Sequence, residues 1–207
     1  MKKIIITVQH TESEHHVTGY VGAQGNWNLT ERGRAQARAI GEWLAQREGG
    51  CEGSRLYVSD LNRAMQTAEG INESLKIPQE RFIVTEALRE ISLGEGNGKP
   101  RDWYNEHVTP QPAVYDPDFR SFPDAESDTE LWNRVAKVYE EVLASDDERI
   151  LIVSHGGALT FLNAMLMGDT FADTLKRKFY GHSGGVTKFV IERDRPTVVP
   201  YMNLYIG

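Results

Sequence analysis

The sequence predicts an α/β fold, a three-layer α/β/α sandwich built on a mostly parallel central sheet. Short β-branched runs alternate along the chain with amphipathic helical stretches, as in sheets covered by helices on both faces. Two runs, Lys3–Val8 and Arg149–Ser154, are apolar without alternation, as expected for strands buried on both faces. The last two runs are joined by a short turn-like link, which predicts some antiparallel pairing.

Six strands are predicted, each a short apolar or β-branched run next to polar or turn-forming residues. In chain order they are Lys3–Val8, Arg55–Ser59, Arg81–Thr85, Arg149–Ser154, Val186–Glu192 and Thr197–Leu204. The link between the last two reads Arg-Asp-Arg-Pro, which is typical of a turn.

Four helices are predicted from apolar residues at helical spacing and from N-cap signals. Thr30 is a suitable N-cap for the first, and Ser-Asp-Thr-Glu at residues 127–130 forms a capping box for the third. The predicted helices are Thr30–Arg47, Leu61–Leu75, Ser127–Leu143 and Gly156–Met167. Residues 94–126 are rich in Gly, Pro and aromatic side chains, and we expect them to form a lid over one end of the sheet.

Composition limits the classes of function. The 207 residues, 40% of them hydrophobic, suit a single domain over residues 1–207 with a core that needs no disulfide or metal. A net charge of −7, from 23 basic and 30 acidic side chains, argues against nucleic-acid partners. The same charge opposes anionic ligands, so an anion would need a few local cations to bind.

The sequence also predicts the cellular compartment of the protein. No apolar stretch approaches the roughly 18 residues of a transmembrane helix, so we expect no membrane association. The first apolar run ends at Gln9 and is too short for a signal peptide. The single Cys51 fits a reducing compartment, and a cytoplasmic location is therefore expected. The oligomeric state is not predicted.

Two histidines follow two of the predicted buried strands. His10 comes after the first strand and His155 directly after the fourth. Because ligands of open α/β sheets bind at the carboxyl ends of strands, the two imidazoles are expected to face one pocket. The glycines at 156 and 157 would expose backbone amides at a helix N-terminus, where anions bind. Either histidine alone would equally suit an ordinary surface or capping role.

Six sequence blocks, in order, carry a resemblance that covers most of the chain. They lie at residues 9–13, 29–37, 57–68, 88–94, 126–127 and 153–157, and the third, Tyr-Val-Ser-Asp-Leu-x-Arg-Ala-x-Gln-Thr-Ala, is the most specific. This series resembles the signatures of the histidine phosphatase superfamily, the phosphoglycerate mutase-like fold, and favours its phosphatase branch.

The resemblance implies a role for each matching residue. His10 is expected to attack phosphorus and form a phosphohistidine, which water then hydrolyses. Glu90 stands where the family has its general acid, which protonates the leaving group and then activates water. Arg63 and His155 are expected to hold the phosphoryl oxygens. No cofactor and no metal ion are implied.

The chain departs from the family pattern in the first block. Gln9 replaces an arginine, and Thr11 replaces a glycine. Gln9 can still donate through its amide, and we predict that it binds phosphate or substrate together with Ser13. His16 stands where relatives have Asn and, if protonated, would return the missing charge. Arg101 aligns with a substrate-contacting lysine of the mutases.

We therefore predict a phosphomonoesterase that acts on a small phosphorylated metabolite through phospho-His10. The alternatives are a phosphoglycerate mutase-type isomerase, or a phosphate-binding pseudoenzyme because of Gln9. His15 and His16 could imitate a metal cluster together with His10, but no carboxylate at the spacing of a known site accompanies them, so no metal is predicted.

Overall fold

A computed structural model describes residues 2–49 and 51–206, and its described part has an α/β fold. Its strands are β1 (Lys2–Gln9), β2 (Arg55–Ser59), β3 (Phe82–Thr85), β4 (Arg149–Ser154), β5 (Val186–Glu192) and β6 (Val198–Leu204). Its α-helices are α1 (Glu14–Thr18), α2 (Glu31–Glu48), α3 (Asn62–Leu75), α4 (Arg101–His107), α5 (Asp128–Ala144), α6 (Gly156–Met167) and α7 (Phe171–Thr174).

The six strands form one sheet in the order β3-β2-β4-β1-β5-β6. The first four in this order are parallel to one another, whereas β5 pairs antiparallel with both β1 and β6. The prediction of a mostly parallel sheet with some antiparallel pairing is confirmed. In the register of β1 with β4, Gln9 lies opposite Ser154, so both strands end at the same level.

Helices cover both faces of the sheet and create two apolar cores. On one face α5 and α6 bury Val135 and Phe161 against the Ile5 side of β1. On the other face α2 and α3 bury Ile40 and Ile71 against the Val8 side of β1. The strand is therefore buried on both faces, as its unbroken apolar run predicts.

The predicted helix starts are confirmed by their caps. The Thr30 hydroxyl accepts a hydrogen bond from the Gly33 N–H at 3.0 Å, and α2 begins one residue later. The Ser127 capping box is present, with its N–H donating to Glu130 at 3.0 Å. The third strand was predicted one residue too long, because Arg81 ends a 3₁₀ turn and reaches across to the Ser54 carbonyl.

Segment 94–126 lies between β3 and α5; it contains a 3₁₀ helix at Gly94–Gly96 and then α4, and the rest is turns and irregular chain. The Arg101 N–H donates to the Gly19 carbonyl at 2.8 Å, which ties α4 to the loop after α1. Phe122, 3% exposed, packs its ring against Tyr104. These contacts fix the segment beside the loop that follows α1, and its function as a lid stays a prediction.

The model also bears on membrane association. Among the described helices, none combines the length and the apolar character needed to cross a bilayer.

Candidate active site

The pocket begins where β1 and β4 end side by side. Because Gln9 pairs with Ser154, the next residues, His10 and His155, emerge at the same edge of the sheet. Their ring centroids are 5.1 Å apart, and the two residues are only 4% and 0% exposed. The structure thus brings together the two strand-end histidines that the sequence singles out.

Hydrogen bonds orient the His10 ring. Its Nδ1 lies 2.8 Å from the Thr11 carbonyl oxygen, which only accepts, so Nδ1 carries the proton. Nε2 is then left with a free lone pair, to which the Arg63 Nε donates at 3.1 Å. The ring nitrogen that faces Arg63 is therefore the nucleophilic one.

Arg63 is the buried cation of the pocket. It lies in the first turn of α3 and is 1% exposed. Its two terminal nitrogens donate to the carbonyls of Gly25 at 2.7 Å and Ala23 at 2.5 Å. Burial lowers the Arg63 pKa to about 10, against the opposing effect of Glu90, so the guanidinium stays charged at neutral pH.

His155 is held through one ring nitrogen. Its Nε2 lies 2.8 Å from the hydroxyl of Ser59 at the end of β2. Its Nδ1 is buried and has no hydrogen-bond partner among the described residues. The ring therefore has one nitrogen fixed by the fold and one with an unmet hydrogen bond.

The imidazoles of the pocket are neutral at pH 7. Burial, and then the nearby Arg63 cation, lowers the pKa of both His10 and His155 well below the usual value. Lost hydration lowers the pKa of His15 to about 3, with His16 and Arg63 adding to the effect. The pKa of His16 falls for the same two reasons, lost hydration and Arg63. A bound anion would act in the opposite direction.

Glu90 lies at the N-terminus of α6. One carboxylate oxygen accepts the Gly157 N–H at 3.1 Å, and the other accepts the Ile91 N–H at 2.9 Å. The structure thus brings the predicted general acid to the same helix end that His155 caps.

Arg134 of α5 anchors the backbone around Glu90. It donates to the carbonyls of Ala87 and Arg89, each at 2.9 Å, and to that of Glu90 at 3.2 Å. Two of its nitrogens also bind the Glu126 carboxylate, at 2.7 and 2.8 Å. Sequence reasoning did not find Arg134, because the residue lies far from every motif that carries chemistry.

Ser13 positions two further imidazoles from α1. Its N–H donates to His16 Nδ1 at 3.1 Å, so His16 takes the part that Glu has in an ordinary capping box. Its hydroxyl lies 2.8 Å from His15 Nδ1. The His16 ring stacks on His10 with centroids 5.5 Å apart. Ser13 is buried, and phosphate binding by Ser13 or His16 stays a prediction.

The Gln9 side chain lies on the α6 side of the sheet, opposite to that of Val8. It lies beside Gly156 at the N-terminus of α6 and beside Gly181 in the loop before β5, where a Cβ added to either glycine would meet it. It also lines a cavity of about 230 Å³. Its Oε1 is buried and without a partner in the described part of the chain.

Arg101, like His16, is an exposed member of the predicted site. It begins α4, and its charge contributes to the low pKa of His15, so it lies at the outer side of the imidazole cluster. Ser59 is a residue that sequence reasoning passed over. Its signal is present in the third block, where it directly precedes Asp60.

The model of the histidine phosphatase superfamily (branch 1) matches residues 5–203. The chain belongs to this superfamily. Its relatives in the histidine phosphatase superfamily include "Putative phosphoserine phosphatase 2" of Hydrogenobacter thermophilus, 28% identical over 98% of this chain and 96% of that protein. Another is the 2,3-bisphosphoglycerate-dependent phosphoglycerate mutase of Bartonella bacilliformis, 29% identical over 81% of this chain and 83% of the mutase.

Solved structures of histidine phosphatases share the fold. A mycobacterial glucosyl-3-phosphoglycerate phosphatase superposes with a TM-score of 0.78 at 21% identity, covering 98% of this chain and 99% of the other. The alpha-ribazole phosphatase of Shigella flexneri gives a TM-score of 0.78 at 23% identity, covering 99% and 98%. At these identities the likeness concerns the fold alone.

Proposed function

We propose that this histidine phosphatase hydrolyses a small phosphorylated metabolite through a phosphohistidine on His10. The observation that carries the proposal is the hydrogen bonding of His10, whose Nδ1–H is fixed by the Thr11 carbonyl while the Nε2 lone pair faces Arg63. A neutral, oriented imidazole beside a buried cation is what attack on a phosphate ester requires.

In the first step His10 Nε2 attacks phosphorus, and the ester P–O bond breaks. Arg63 moves its hydrogen bond from Nε2 to a phosphoryl oxygen, and protonated Glu90 gives its proton to the leaving oxygen. The unpartnered His155 Nδ1 has a hydrogen bond to offer the same phosphoryl group. The products of this step are an alcohol and phospho-His10.

In the second step water takes the place of the alcohol. Glu90, now a carboxylate, accepts a proton from the water whose oxygen attacks phosphorus, and the N–P bond breaks. Inorganic phosphate leaves, and the electron pair returns to His10 Nε2. The Thr11 carbonyl holds the proton on Nδ1 throughout, so the ring is ready for a second cycle.

The substrate is proposed to be small because of the cavity beside segment 94–126. This cavity of about 150 Å³ is lined by Ile91 and Leu93, next to Glu90, and by Tyr104 and Tyr115 of the segment. Two relatives are named for phosphoserine and phosphoglycerate, which are both small phosphorylated acids. We propose that segment 94–126 serves as a lid and selects the leaving group.

A mutase reaction is the second candidate, because relatives with 28–29% identity are named as phosphoglycerate mutases. A mutase would pass the phosphoryl group from His10 to a second hydroxyl of the substrate instead of to water. The replacement of the first-block arginine by Gln9 weighs against it, since a pocket for bisphosphates needs more cations.

The test is a panel of phosphorylated metabolites and an aryl phosphate, with phosphate release measured for the wild type and for His10→Ala. We expect a loss of about 10³-fold or more in the variant, because the nucleophile is absent. Lys137→Gln, a change at an exposed residue of α5 outside the pocket and the proposed lid, serves as the control. An acid-labile phosphoryl group on the wild type, absent from His10→Ala, would identify the intermediate.

Two results would overturn the assignment. Conversion of 3-phosphoglycerate to 2-phosphoglycerate that is faster than hydrolysis would favour the mutase. Phosphate binding without any turnover, retained in His10→Ala, would identify a pseudoenzyme.

A further inference from the structure

Three imidazoles converge at the mouth of the pocket. His10, His15 and His16 each present a ring nitrogen, and these nitrogens all lie within 4.8 Å of one another. The ring centroids of His15 and His16 are only 3.9 Å apart. From the sequence alone these three residues predict no metal site, because no carboxylate accompanies them. The five-residue helix α1 and its Ser13 cap are what turn both rings toward His10.

One of the three rings is already oriented as a metal ligand. In metal-binding histidines the nitrogen that does not ligate donates its proton to an oxygen. His10 Nδ1 donates to the Thr11 carbonyl, which leaves the Nε2 lone pair of His10 available. His15 Nδ1 lies 2.8 Å from the Ser13 hydroxyl, and His15 has the same tautomer when that hydroxyl accepts the proton of Nδ1.

His16 needs an adjustment to become the third ligand. Its Nδ1 accepts the Ser13 N–H, so the proton of the neutral ring is on Nε2. Zinc–nitrogen bonds of about 2.0–2.1 Å require the ligating nitrogens to approach to about 3.3 Å. His16 is exposed and His15 only partly buried, so both rings have room to rotate toward a common point.

We propose that His10, His15 and His16 form a binding site for a first-row transition metal ion such as Zn²⁺. Imidazole nitrogens suit such an ion, and solvent would fill its fourth position. The inhibitory consequence rests on the proposed function: the metal would occupy the His10 Nε2 lone pair, the same electrons that attack phosphorus. Metal binding and phosphoryl transfer therefore exclude each other.

Arg63 sets the affinity of this site. Its Nε donates to the His10 nitrogen that the metal would take, and its positive charge repels the ion. A bound metal must displace this hydrogen bond. Removing this cation should therefore strengthen metal binding.

The experiment is a calorimetric titration of the full chain with Zn²⁺ alone, in phosphate-free buffer at pH 7.5. We expect one ion per chain in the wild type, and an affinity at least tenfold lower in His15→Gln. His107→Gln is the matched control and should bind like the wild type. Binding that is absent, or that is equal in His15→Gln, would overturn the proposal.

Hydrolysis gives a second, separate measurement. Zn²⁺ should inhibit hydrolysis by the wild type, and a chelator should restore the activity. His15→Gln should keep the basal rate of hydrolysis and need at least tenfold more Zn²⁺ for the same inhibition. Arg63→Met should bind Zn²⁺ more tightly than the wild type, and weaker binding would contradict the ligand role of His10 Nε2. If no substrate is hydrolysed, the titration still tests the metal site and only the proposed function fails.

Discussion

The reactivity of His10 depends on which of its two nitrogens carries the proton. The Thr11 carbonyl holds the proton on Nδ1, and Arg63 donates to Nε2. The pKa of His10 is lowered by burial and by Arg63, so a pool of inactive, protonated enzyme is small at neutral pH. One backbone carbonyl therefore has as large a part in the proposed mechanism as any side chain.

Gln9 offers a test at the scale of one residue. Gln9→Arg would restore a guanidinium beside the N-terminus of α6, where the Gln9 amide now lies beside Gly156. A charge-assisted hydrogen bond contributes about 1.5–3 kcal/mol, so phosphate and vanadate should inhibit about 10–200-fold more strongly. The measurement is the inhibition constant against an aryl phosphate.

Gln9→Met is the matched control for this change, since it keeps the length of the side chain and removes the amide. Its inhibition constants should not improve. Equal constants for the wild type and Gln9→Arg would mean that residue 9 serves the cavity behind it rather than the bound anion.

The sequence predicted the residues of the pocket better than their orientation. His10 and His155 follow from two buried strands, and Arg63 from the third block. The direction of the Gln9 side chain and its position beside Gly181 were not predictable, because that position depends on how the loop before β5 folds. Roles for these residues stay predictions until they are tested in solution.

At the scale of elements, the N-terminus of α6 holds the proposed general acid. An added Cβ at Gly157 would lie 2.4 Å from a Glu90 carboxylate oxygen, whereas one at Gly156 would meet only the Gln9 amide, at 3.4 Å. Gly157→Ala should therefore displace Glu90 and lower kcat about tenfold to a hundredfold. Gly156→Ala is the matched control and should have a much smaller effect.

Steady-state kinetics with the same aryl phosphate checks this prediction. Because an aryl leaving group needs less help from an acid than an alkyl one, the loss in Gly157→Ala should be larger for an alkyl phosphate. Equal kcat values for the two alanine variants would contradict the proposed role of Glu90 as the general acid.

Long elements were predicted well and short ones were not. The caps at Thr30 and Ser127 and the apolar periods of α2 and α5 fixed those helices to within about a residue. The helices α1 and α7 have five and four residues, too few for a period to register. The failure to predict α1 matters for function, since α1 carries two of the four clustered imidazoles.

At the scale of the whole molecule, the net negative charge of the chain and the buried cation of the pocket act together. The chain carries a net charge of −7, and the buried cation that faces His10 is Arg63. We expect the acidic surface to repel large polyanions, whereas the proposed small phosphate ester would bind where the local field is positive. The reducing, cytoplasmic setting predicted from Cys51 stays a prediction.

The buried imidazoles predict an acid-sensitive fold. Above pH 6.5 His10 and His155 are neutral in both the folded and the unfolded chain, so neither changes stability there. Below pH 6.5 the two imidazoles bind protons in the unfolded chain but not in the folded chain, because folding lowers the pKa values of both His10 and His155. Each imidazole should then cost about 1.4 kcal/mol of unfolding free energy per pH unit.

Urea unfolding at pH 7.5, 6.5 and 5.5 measures this effect. The wild type should lose stability only below pH 6.5, and His10→Ala should lose it less steeply because one of the four imidazoles with a lowered pKa is gone. An unfolding free energy that is constant from pH 6.5 to 5.5 would contradict the burial of neutral imidazoles. Added phosphate should slow the loss, since it stabilises the protonated pocket.

The place of β1 in the sheet also has a consequence for how the protein is made. This strand is synthesised first, yet its neighbours β4 and β5 come from the last third of the chain. Most of the chain must therefore be synthesised before His155 can pack beside His10. Contacts between residues so far apart in sequence form slowly. The proposed phosphoester turnover would then require β4 and β5, and a nascent fragment ending before β4 would show no activity.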